Sequence, residues 1–163
     1  MRPTSERVRE AVFNVLGPVT GVSVLDLFAG SGAFGLEAVS RGATACVFVE
    51  VDPSVAETLR RNIAALGCLG TCKVVVEDYL RAAERLWREG KVFDLLFVDP
   101  PYRILADVEV ALAPLIPSLT TPEGVVVSEG PRSLRPTFGQ SLIFDREYGD
   151  TRIAMVKLRR SDS

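Results

Sequence analysis

Short apolar runs alternate with longer amphipathic stretches along most of the chain. Five of the runs, each bounded by glycine, proline or charged residues, are typical of strands and cover residues 22–27, 45–49, 73–78, 95–98 and 125–129. Their continuous apolar character is that of strands buried on both faces of a parallel sheet. Two further runs, residues 141–146 and 152–158, are joined by a short polar turn. The pattern therefore predicts a doubly wound α/β sheet with an antiparallel edge.

The stretches between the runs have the periodicity of helices. The first helix should begin with Thr4 or Ser5 as its N-cap and stop at Gly17. Its predicted buried face contains Val8, Ala11, Val12, Val15 and Leu16. The helix after the third strand is predicted to bury Leu80, Ala83, Leu86 and Trp87.

Composition limits the classes of function to consider. The chain has 163 residues, a net charge of −2 and no histidine, which fits one globular domain over residues 1–163 and excludes a Cys/His zinc site or a histidine general base. Cys68 and Cys72 are close enough in sequence to pair or to bind a metal, but reduced, structural cysteines are favoured. No apolar run approaches the roughly 20 residues of a membrane span, and the first residues do not form a signal peptide. We therefore expect a cytoplasmic monomer without a metal or a membrane partner.

A glycine-rich loop follows the first strand. Residues 30–35 fit the pattern G-x-G-x-x-G between a strand and a helix, in which the glycines permit a tight turn, close approach of a ligand and close helix–strand packing. Glu50 lies 20 residues after Gly30, at the end of the second strand. A carboxylate there can accept both ribose hydroxyls of an adenosine. The loop and Glu50 together predict a nucleoside site.

The nucleoside could belong to NAD or to S-adenosylmethionine. A pyrophosphate at the helix N-terminus would be repelled by Asp26, which directly precedes the loop region. Asp26 is better placed to meet an ammonium group, which favours S-adenosylmethionine. Asp78, at the end of the third strand, could accept a hydrogen bond from the adenine amine or could cap the following helix.

The tetrapeptide Asp99-Pro100-Pro101-Tyr102 follows the fourth strand. Ligands in open α/β sheets bind at the carboxyl ends of strands. Proline fixes φ and has no N–H, so the motif is stiff and offers acceptors from Asp99 and the Pro100 carbonyl together with the ring of Tyr102. These features suit a planar group that carries an exocyclic amine. Alone, the motif would sooner be read as a Pro-Pro turn that ends a strand, with Asp99 as a solvated loop residue.

The chain resembles the class I S-adenosylmethionine-dependent methyltransferases, and more narrowly the RsmD type of 16S ribosomal RNA guanine-N2 methyltransferase. The resemblance rests on residues 25–32, 48–50 and 99–102, and for the narrower family on residues 2–10 with Phe13 and Asn14, 35–43 and 148–151. It implies a three-layer, Rossmann-like sheet of seven strands whose last two form an antiparallel hairpin. Members of the family usually carry a basic segment before the Arg-Pro-Thr block, and here Met1 directly precedes that block.

The resemblance also implies which residues act. Asp99, Pro100, Pro101 and Tyr102 would hold the target guanine, with Asp99 and the Pro100 carbonyl accepting the N–H bonds of N2 and Tyr102 stacking on the base. The partner would be 16S ribosomal RNA or the small ribosomal subunit particle, contacted by Arg2, Thr4, Arg7 and Arg9. The predicted cofactor-binding residues are Asp26, Phe28, Ala29, Gly30, Ser31, Gly32, Glu50, Val51, Asp78 and Tyr79.

Three alternatives remain at this stage. An adenine-N6 methyltransferase acting on DNA or RNA also uses Asp-Pro-Pro-Tyr, although the Arg-Pro-Thr block argues against it. An NAD(P)-dependent oxidoreductase is disfavoured by Asp26 and by the terminal hairpin. A non-catalytic RNA-binding module is disfavoured by the intact tetrapeptide.

Overall fold

The computed structural model describes residues 5–159, which form seven strands and six helices within that range. A short 3-10 turn at Tyr102–Ile104 also lies between the fourth strand and the fifth helix. In chain order the elements are α1 (Glu6–Leu16), β1 (Ser23–Asp26), α2 (Ala33–Ser40), β2 (Ala45–Glu50), α3 (Pro53–Ala65), β3 (Cys72–Val76), α4 (Tyr79–Arg88), β4 (Phe93–Val98), α5 (Leu105–Leu112), α6 (Ile116–Leu119), β5 (Thr120–Pro131), β6 (Ser141–Tyr148) and β7 (Thr151–Lys157).

The strands form one sheet in the order β3-β2-β1-β4-β5-β7-β6. The first five of these are parallel, and β7 pairs antiparallel with both β5 and β6. The chain places β2 and β3 on one side of β1, and then crosses to place β4 and β5 on the other side. The boundary between β1 and β4 is therefore the topological switch point, where ligands bind in such sheets. The predicted doubly wound sheet with an antiparallel C-terminal hairpin is confirmed.

Helices cover both faces of the sheet and give it three layers. One apolar cluster joins the sheet to α1, α2 and α3, and the other joins it to α4, α5 and α6. The central strands are therefore buried on both sides, which explains their continuous apolar sequence. Among the described residues, no helix is both long enough and apolar enough to cross a membrane.

Side-chain caps fix where several helices begin. Ser5 Oγ accepts the Val8 N–H at 3.2 Å at the start of α1, which selects Ser5 from the two predicted caps. Asp52 caps α3, and Asp78 caps α4. Because both aspartates follow the carboxyl ends of strands, the caps also place two helix starts at the edge of the sheet that carries the site.

Two predicted core residues are exposed. Val15 is 45% exposed and Trp87 is 48% exposed, so both predictions of burial were wrong. In α1 the predicted Val8 and Val12 are buried, but the stripe continues through Phe13 rather than Val15, and the Phe13 ring lies 6.0 Å from that of Phe97. In α4 the stripe is centred on small residues and Leu86, which leaves Trp87 at its edge. A pattern of apolar residues alone does not determine the rotation of a helix about its axis closely enough to decide which residues at the border of the apolar stripe are buried.

Candidate functional site

Each of the five parallel strands ends with an acidic residue or is followed by one, and these residues lie at the carboxyl ends of the strands. Four were predicted as site residues, and each lies at or just beyond the carboxyl end of its strand: Asp26, Glu50, Asp78 and Asp99. The fifth, Glu129, is buried in the last part of β5 and was not predicted. Its signal in the sequence was a charged residue that continues an apolar strand. The candidate site is therefore this row of acidic side chains, centred on the switch point.

The glycine loop connects β1 to α2 at the same carboxyl ends of the strands. Gly30 and Gly32 have φ values of 55° and 94°, which a residue with a side chain rarely adopts. A Cβ atom on Gly32 would also lie 2.6 Å from Leu59. A Cβ on Gly35 would collide with the Phe48 ring of β2. The loop thus needs glycine for the turn and for close packing of α2 on the sheet, as predicted.

Glu50 ties the loop to the second strand. Its Oε1 accepts the Gly30 N–H at 2.9 Å, and its Oε2 accepts the Asp52 N–H at 2.9 Å. Each carboxylate oxygen has a second lone pair to offer, so the fixed carboxylate can still accept hydrogen bonds from two vicinal hydroxyls. The spacing of 20 residues between Gly30 and Glu50 thus corresponds to a direct contact.

Asp26 is buried below the loop, with 2% of its surface exposed. Its Oδ2 accepts the Gly35 N–H at 3.3 Å, whereas Oδ1 has no hydrogen-bond partner within residues 5–159. Burial raises the pKa of Asp26 from 3.8 to about 7, although the backbone N–H groups of Gly35 and Phe28 act to lower it, and the nearby charge of Glu50 adds to the rise. A buried carboxyl oxygen without a partner has the chemistry to accept a hydrogen bond from an ammonium group, directly or through water.

Aromatic and apolar groups complete this side of the site. The rings of Phe28 and Tyr79 pack at a centroid distance of 4.9 Å and an angle of 35°. Burial raises the pKa of Tyr79. Asp78 accepts the backbone N–H groups of Leu80 and Arg81 at 3.1 and 3.3 Å, so its predicted capping role is confirmed. Val51, next to Glu50, is 65% exposed and is available to an adenine ring.

One residue that supports the loop was not recognised from the sequence. Asn62 Nδ2, near the end of α3, donates to the Ser31 carbonyl oxygen at 2.9 Å. Its signal in the sequence is a polar residue that falls within the helical spacing of Val55, Leu59 and Ile63. Asn62 therefore holds the exposed tip of the loop.

The tetrapeptide 99–102 lies on the other side of β1, directly after β4. Pro100 is buried, while Asp99, Pro101 and Tyr102 are half-buried. The Tyr102 hydroxyl is 2.7 Å from Thr151 Oγ1, a hydrogen bond between residues 49 positions apart. Thr151 begins β7 and pairs with the last residue of β5 on one side and of β6 on the other. The turn of the terminal hairpin therefore borders the tetrapeptide, a contact the sequence did not indicate.

The structure describes two of the four predicted RNA-binding residues, Arg7 and Arg9. Arg7 is exposed in the first turn of α1. Arg9 instead contacts Glu37 of α2, with Nε 3.4 Å from Oε1, and Glu37 also binds Arg41 at 3.0 Å. Arg2 and Thr4 lie outside the described residues. Within the described range, no group of three or more Cys, Asp or Glu side chains is arranged to hold a metal ion.

A Rossmann-like sheet with an antiparallel terminal hairpin, a glycine loop bound by an acidic residue and an Asp-Pro-Pro-Tyr strand end define the class I methyltransferase type of protein. Residues 1–157 match the family described as Conserved hypothetical protein 95. The chain belongs to this family, which is the RsmD family.

Individual relatives agree with this assignment. The chain is 36% identical over 164 residues to YlbH of Bacillus subtilis, provisionally named an rRNA methyltransferase, with 97% of this chain and 88% of that protein covered. It is 44% identical over 104 residues to ribosomal RNA small subunit methyltransferase D of Escherichia coli, where the match covers 63% of this chain but only 50% of the relative. The solved structure of yhhF from Escherichia coli superposes with a TM-score of 0.84 at 30% identity, covering 99% and 89% of the two chains.

Proposed function

We propose that the protein transfers a methyl group from S-adenosylmethionine to the exocyclic N2 of a guanine in 16S ribosomal RNA. The observation that carries the proposal is the placement of two halves of a site on either side of β1, at the switch point of the sheet. The glycine loop and Glu50 lie on the β2 side, and residues 99–102 follow β4 on the other side. The name of the Escherichia coli relative supports the choice of small-subunit ribosomal RNA.

The first half suits the cofactor. Glu50 would accept hydrogen bonds from the ribose hydroxyls, and the buried Oδ1 of Asp26 would face the ammonium group of the methionine part. Val51 and Tyr79 would border the adenine, with Asp78 accepting from its amine in addition to capping α4. Phe28, Ala29, Gly30, Ser31 and Gly32 would line the path between these ends. When bound, S-adenosylmethionine supplies an electrophilic methyl group on a positively charged sulfur.

The second half suits the base. The lone pair of guanine N2 is delocalised into the ring, which makes the amine a poor nucleophile. Asp99 and the Pro100 carbonyl would accept its two N–H bonds and favour a pyramidal nitrogen, while Pro101 keeps the strand end rigid. Tyr102 would stack on the base, a contact worth about 1–3 kcal/mol in comparable systems. Positioning and electrostatics are then the main contributions to catalysis, and Asp99 could accept the proton that the nitrogen loses after it is methylated.

The substrate must present an unpaired or flipped-out guanine, because the amine of a guanine within a base-paired RNA helix cannot enter such a pocket. Arg7 is exposed and could contact RNA phosphates, and Arg2 and Thr4 are proposed to do the same. Arg9 could contribute only together with, or after release from, Glu37. We propose that the protein acts in the cytoplasm as a monomer on 16S ribosomal RNA or on the small-subunit particle.

The test is a methylation assay on three substrates: naked 16S ribosomal RNA, the small ribosomal subunit particle and DNA. Labelled methyl groups should appear in at least one of the two RNA substrates and not in DNA, and nucleoside analysis of the product should give N2-methylguanine. N6-methyladenine would instead establish the adenine alternative. Binding of S-adenosylmethionine without transfer to any substrate would support a non-catalytic module, and binding of NAD in its place would support an oxidoreductase.

A further inference from the structure

The β6–β7 hairpin carries its charges unequally on its two faces. Strand side chains alternate between faces, so Asp145 and Glu147 lie on one face of β6, and Arg146 lies on the other with Tyr148. The second face is the one that packs under α1, because Phe144 and Tyr148 belong to the apolar cluster of that helix. Tyr148 pairs with Thr151, whose hydroxyl binds Tyr102. This second face therefore leads directly to the proposed base site.

On the first face, the arginines are neutralised by acidic neighbours. Arg152 contacts both Asp145 and Glu147, with Nη2 2.8 Å from Glu147 Oε1. Arg132 lies 3.2 Å from Glu147, and Arg135 lies 3.5 Å from Asp145. These ion pairs link the hairpin to the segment that follows β5. The charges of these side chains neutralise one another, so they offer little net charge to a binding partner.

Arg146 differs from these three arginines. It is exposed, and no carboxylate of residues 5–159 lies within 4.0 Å of its guanidinium. Its Cζ lies instead 5.2 Å from the centroid of the Tyr148 ring. An arginine held over a tyrosine, without a counter-ion, offers a phosphate-binding fork beside a flat apolar surface. That combination suits a nucleotide, whose phosphate and base need these two groups.

We propose that Arg146 and Tyr148 bind the nucleotide next to the target guanine in single-stranded RNA. Arg146 contacts a phosphate, and the Tyr148 ring contacts the sugar or base of the same nucleotide. The occupant is RNA because the free charge is positive, lies beside an aromatic ring and continues the surface on which Tyr102 is held. This inference rests on the proposed RNA substrate, since it assigns a further contact to the same site.

The experiment measures the affinity of the full chain for naked 16S ribosomal RNA between 50 and 200 mM salt, for the wild type, Arg146→Gln and Arg88→Gln. Arg88 is the matched control, because it is exposed at the far end of α4 and has no ion pair within the described residues. Arg146→Gln should weaken binding by about threefold to tenfold and reduce the slope of log K against log salt by about 0.7–0.9. Arg88→Gln should change neither quantity.

A second variant, Tyr148→Leu, keeps the apolar contact with the cluster of α1 but removes the ring. It should weaken RNA binding without changing the salt slope, because no charge is lost. All variants should bind S-adenosylmethionine like the wild type. An unchanged slope and affinity for Arg146→Gln would overturn the inference, and so would an equal loss for Arg88→Gln.

Two further outcomes separate this inference from the proposed function. If the wild type methylates RNA and Arg146→Gln binds RNA normally, only the inference fails. If the wild type neither binds nor methylates RNA, both fail. A defect of Arg146→Gln on the ribosomal particle but not on naked RNA would show that the hairpin contacts a protein, and would also overturn the inference.

Discussion

The two halves of the site are held in place in different ways. The cofactor half, formed by the glycine loop with Asp26, Glu50 and Asp78, depends on hydrogen bonds that these carboxylates accept from backbone N–H groups at most 20 residues away. The base half, formed by residues 99–102 and the hairpin turn, depends on a contact between side chains 49 residues apart. One half is therefore built by local chain geometry, and the other by the pairing of the terminal hairpin with β5.

The cofactor half contains a buried carboxyl whose titration should be visible in stability. Because the pKa of Asp26 is raised from 3.8 to about 7, the folded protein retains a proton that the unfolded chain releases. Stability contributed by this group is therefore complete below about pH 4 and is lost as the pH rises to about 7. We expect Asp26→Asn to gain stability relative to the wild type by on the order of 3 kcal/mol between pH 4 and pH 8.

Urea unfolding of both proteins across that pH range, without cofactor, measures this difference. Glu57→Gln serves as a control, because Glu57 is an exposed carboxylate on α3 and its side chain is 56% exposed. Because its ion pairs with Arg60 and Arg61 are exposed, its stability should stay within about 1 kcal/mol of the wild type. A constant difference for Asp26→Asn would show that Asp26 does not change its charge over this range in the folded protein, and would contradict its raised pKa.

The next prediction tests whether close backbone packing builds the cofactor half. Gly35→Ala places a Cβ against the Phe48 ring and 2.9 Å from the Cys46 sulfur, so α2 must move away from the sheet. We expect a loss of about 2 kcal/mol in the free energy of unfolding. Gly70→Ala is the matched control, because a Cβ there meets nothing within 4 Å. Equal stabilities of the two variants in urea unfolding would count against a tightly packed loop.

The smallest predicted effect concerns the base half. Thr151→Val and Tyr102→Phe each remove one partner of the same hydrogen bond and keep the shape of the side chain. If the bond orients the Tyr102 ring, each variant should lower kcat/KM for RNA by about fivefold, which is about 1 kcal/mol. The double variant should be no worse than either single variant, because the two residues act through one contact. The dissociation constant of S-adenosylmethionine should not change.

Thr151→Ser provides the rescue, since it keeps the hydroxyl. It should be close to the wild type in kcat/KM. Additive losses in the double variant would mean that the two hydroxyl groups act independently, and the proposed coupling between hairpin and tetrapeptide would then be wrong.

Two local contacts of the proposed cofactor half could be predicted from the sequence, because their signals are local. The 20-residue interval between Gly30 and Glu50 follows from one strand–helix–strand unit, and the cap at Asp78 follows from its place before a helix. The same logic predicted the sheet and its terminal hairpin. It extended less well to side chains near the limits of a helical stripe, as Val15 and Trp87 show, because their burial depends on how a helix is rotated against the sheet.

Long-range contacts could not be predicted in the same way. Nothing in the order of residues indicates that Thr151 reaches Tyr102, since this follows from the pairing of β7 between β5 and β6. The contact of Asn62 with Ser31 likewise depends on where α3 returns to the loop. The pairing of Arg9 with Glu37 depends on how α1 packs beside α2. The RNA-binding role predicted for Arg9 from the sequence therefore did not include this acidic neighbour.

The central claim is that the two halves separate cofactor binding from methyl transfer, and one pair of variants tests it most directly. The dissociation constant of S-adenosylmethionine and the rate of methyl transfer to 16S ribosomal RNA are measured for Glu50→Ala and Asp99→Ala. Glu50→Ala should weaken cofactor binding by about 30-fold, equivalent to about 2 kcal/mol for lost hydrogen bonds to a charged group. Asp99→Ala should bind the cofactor normally and lose about 100-fold or more in the rate of transfer. Wild-type turnover in Asp99→Ala, or a parallel loss of cofactor binding in that variant, would contradict the account.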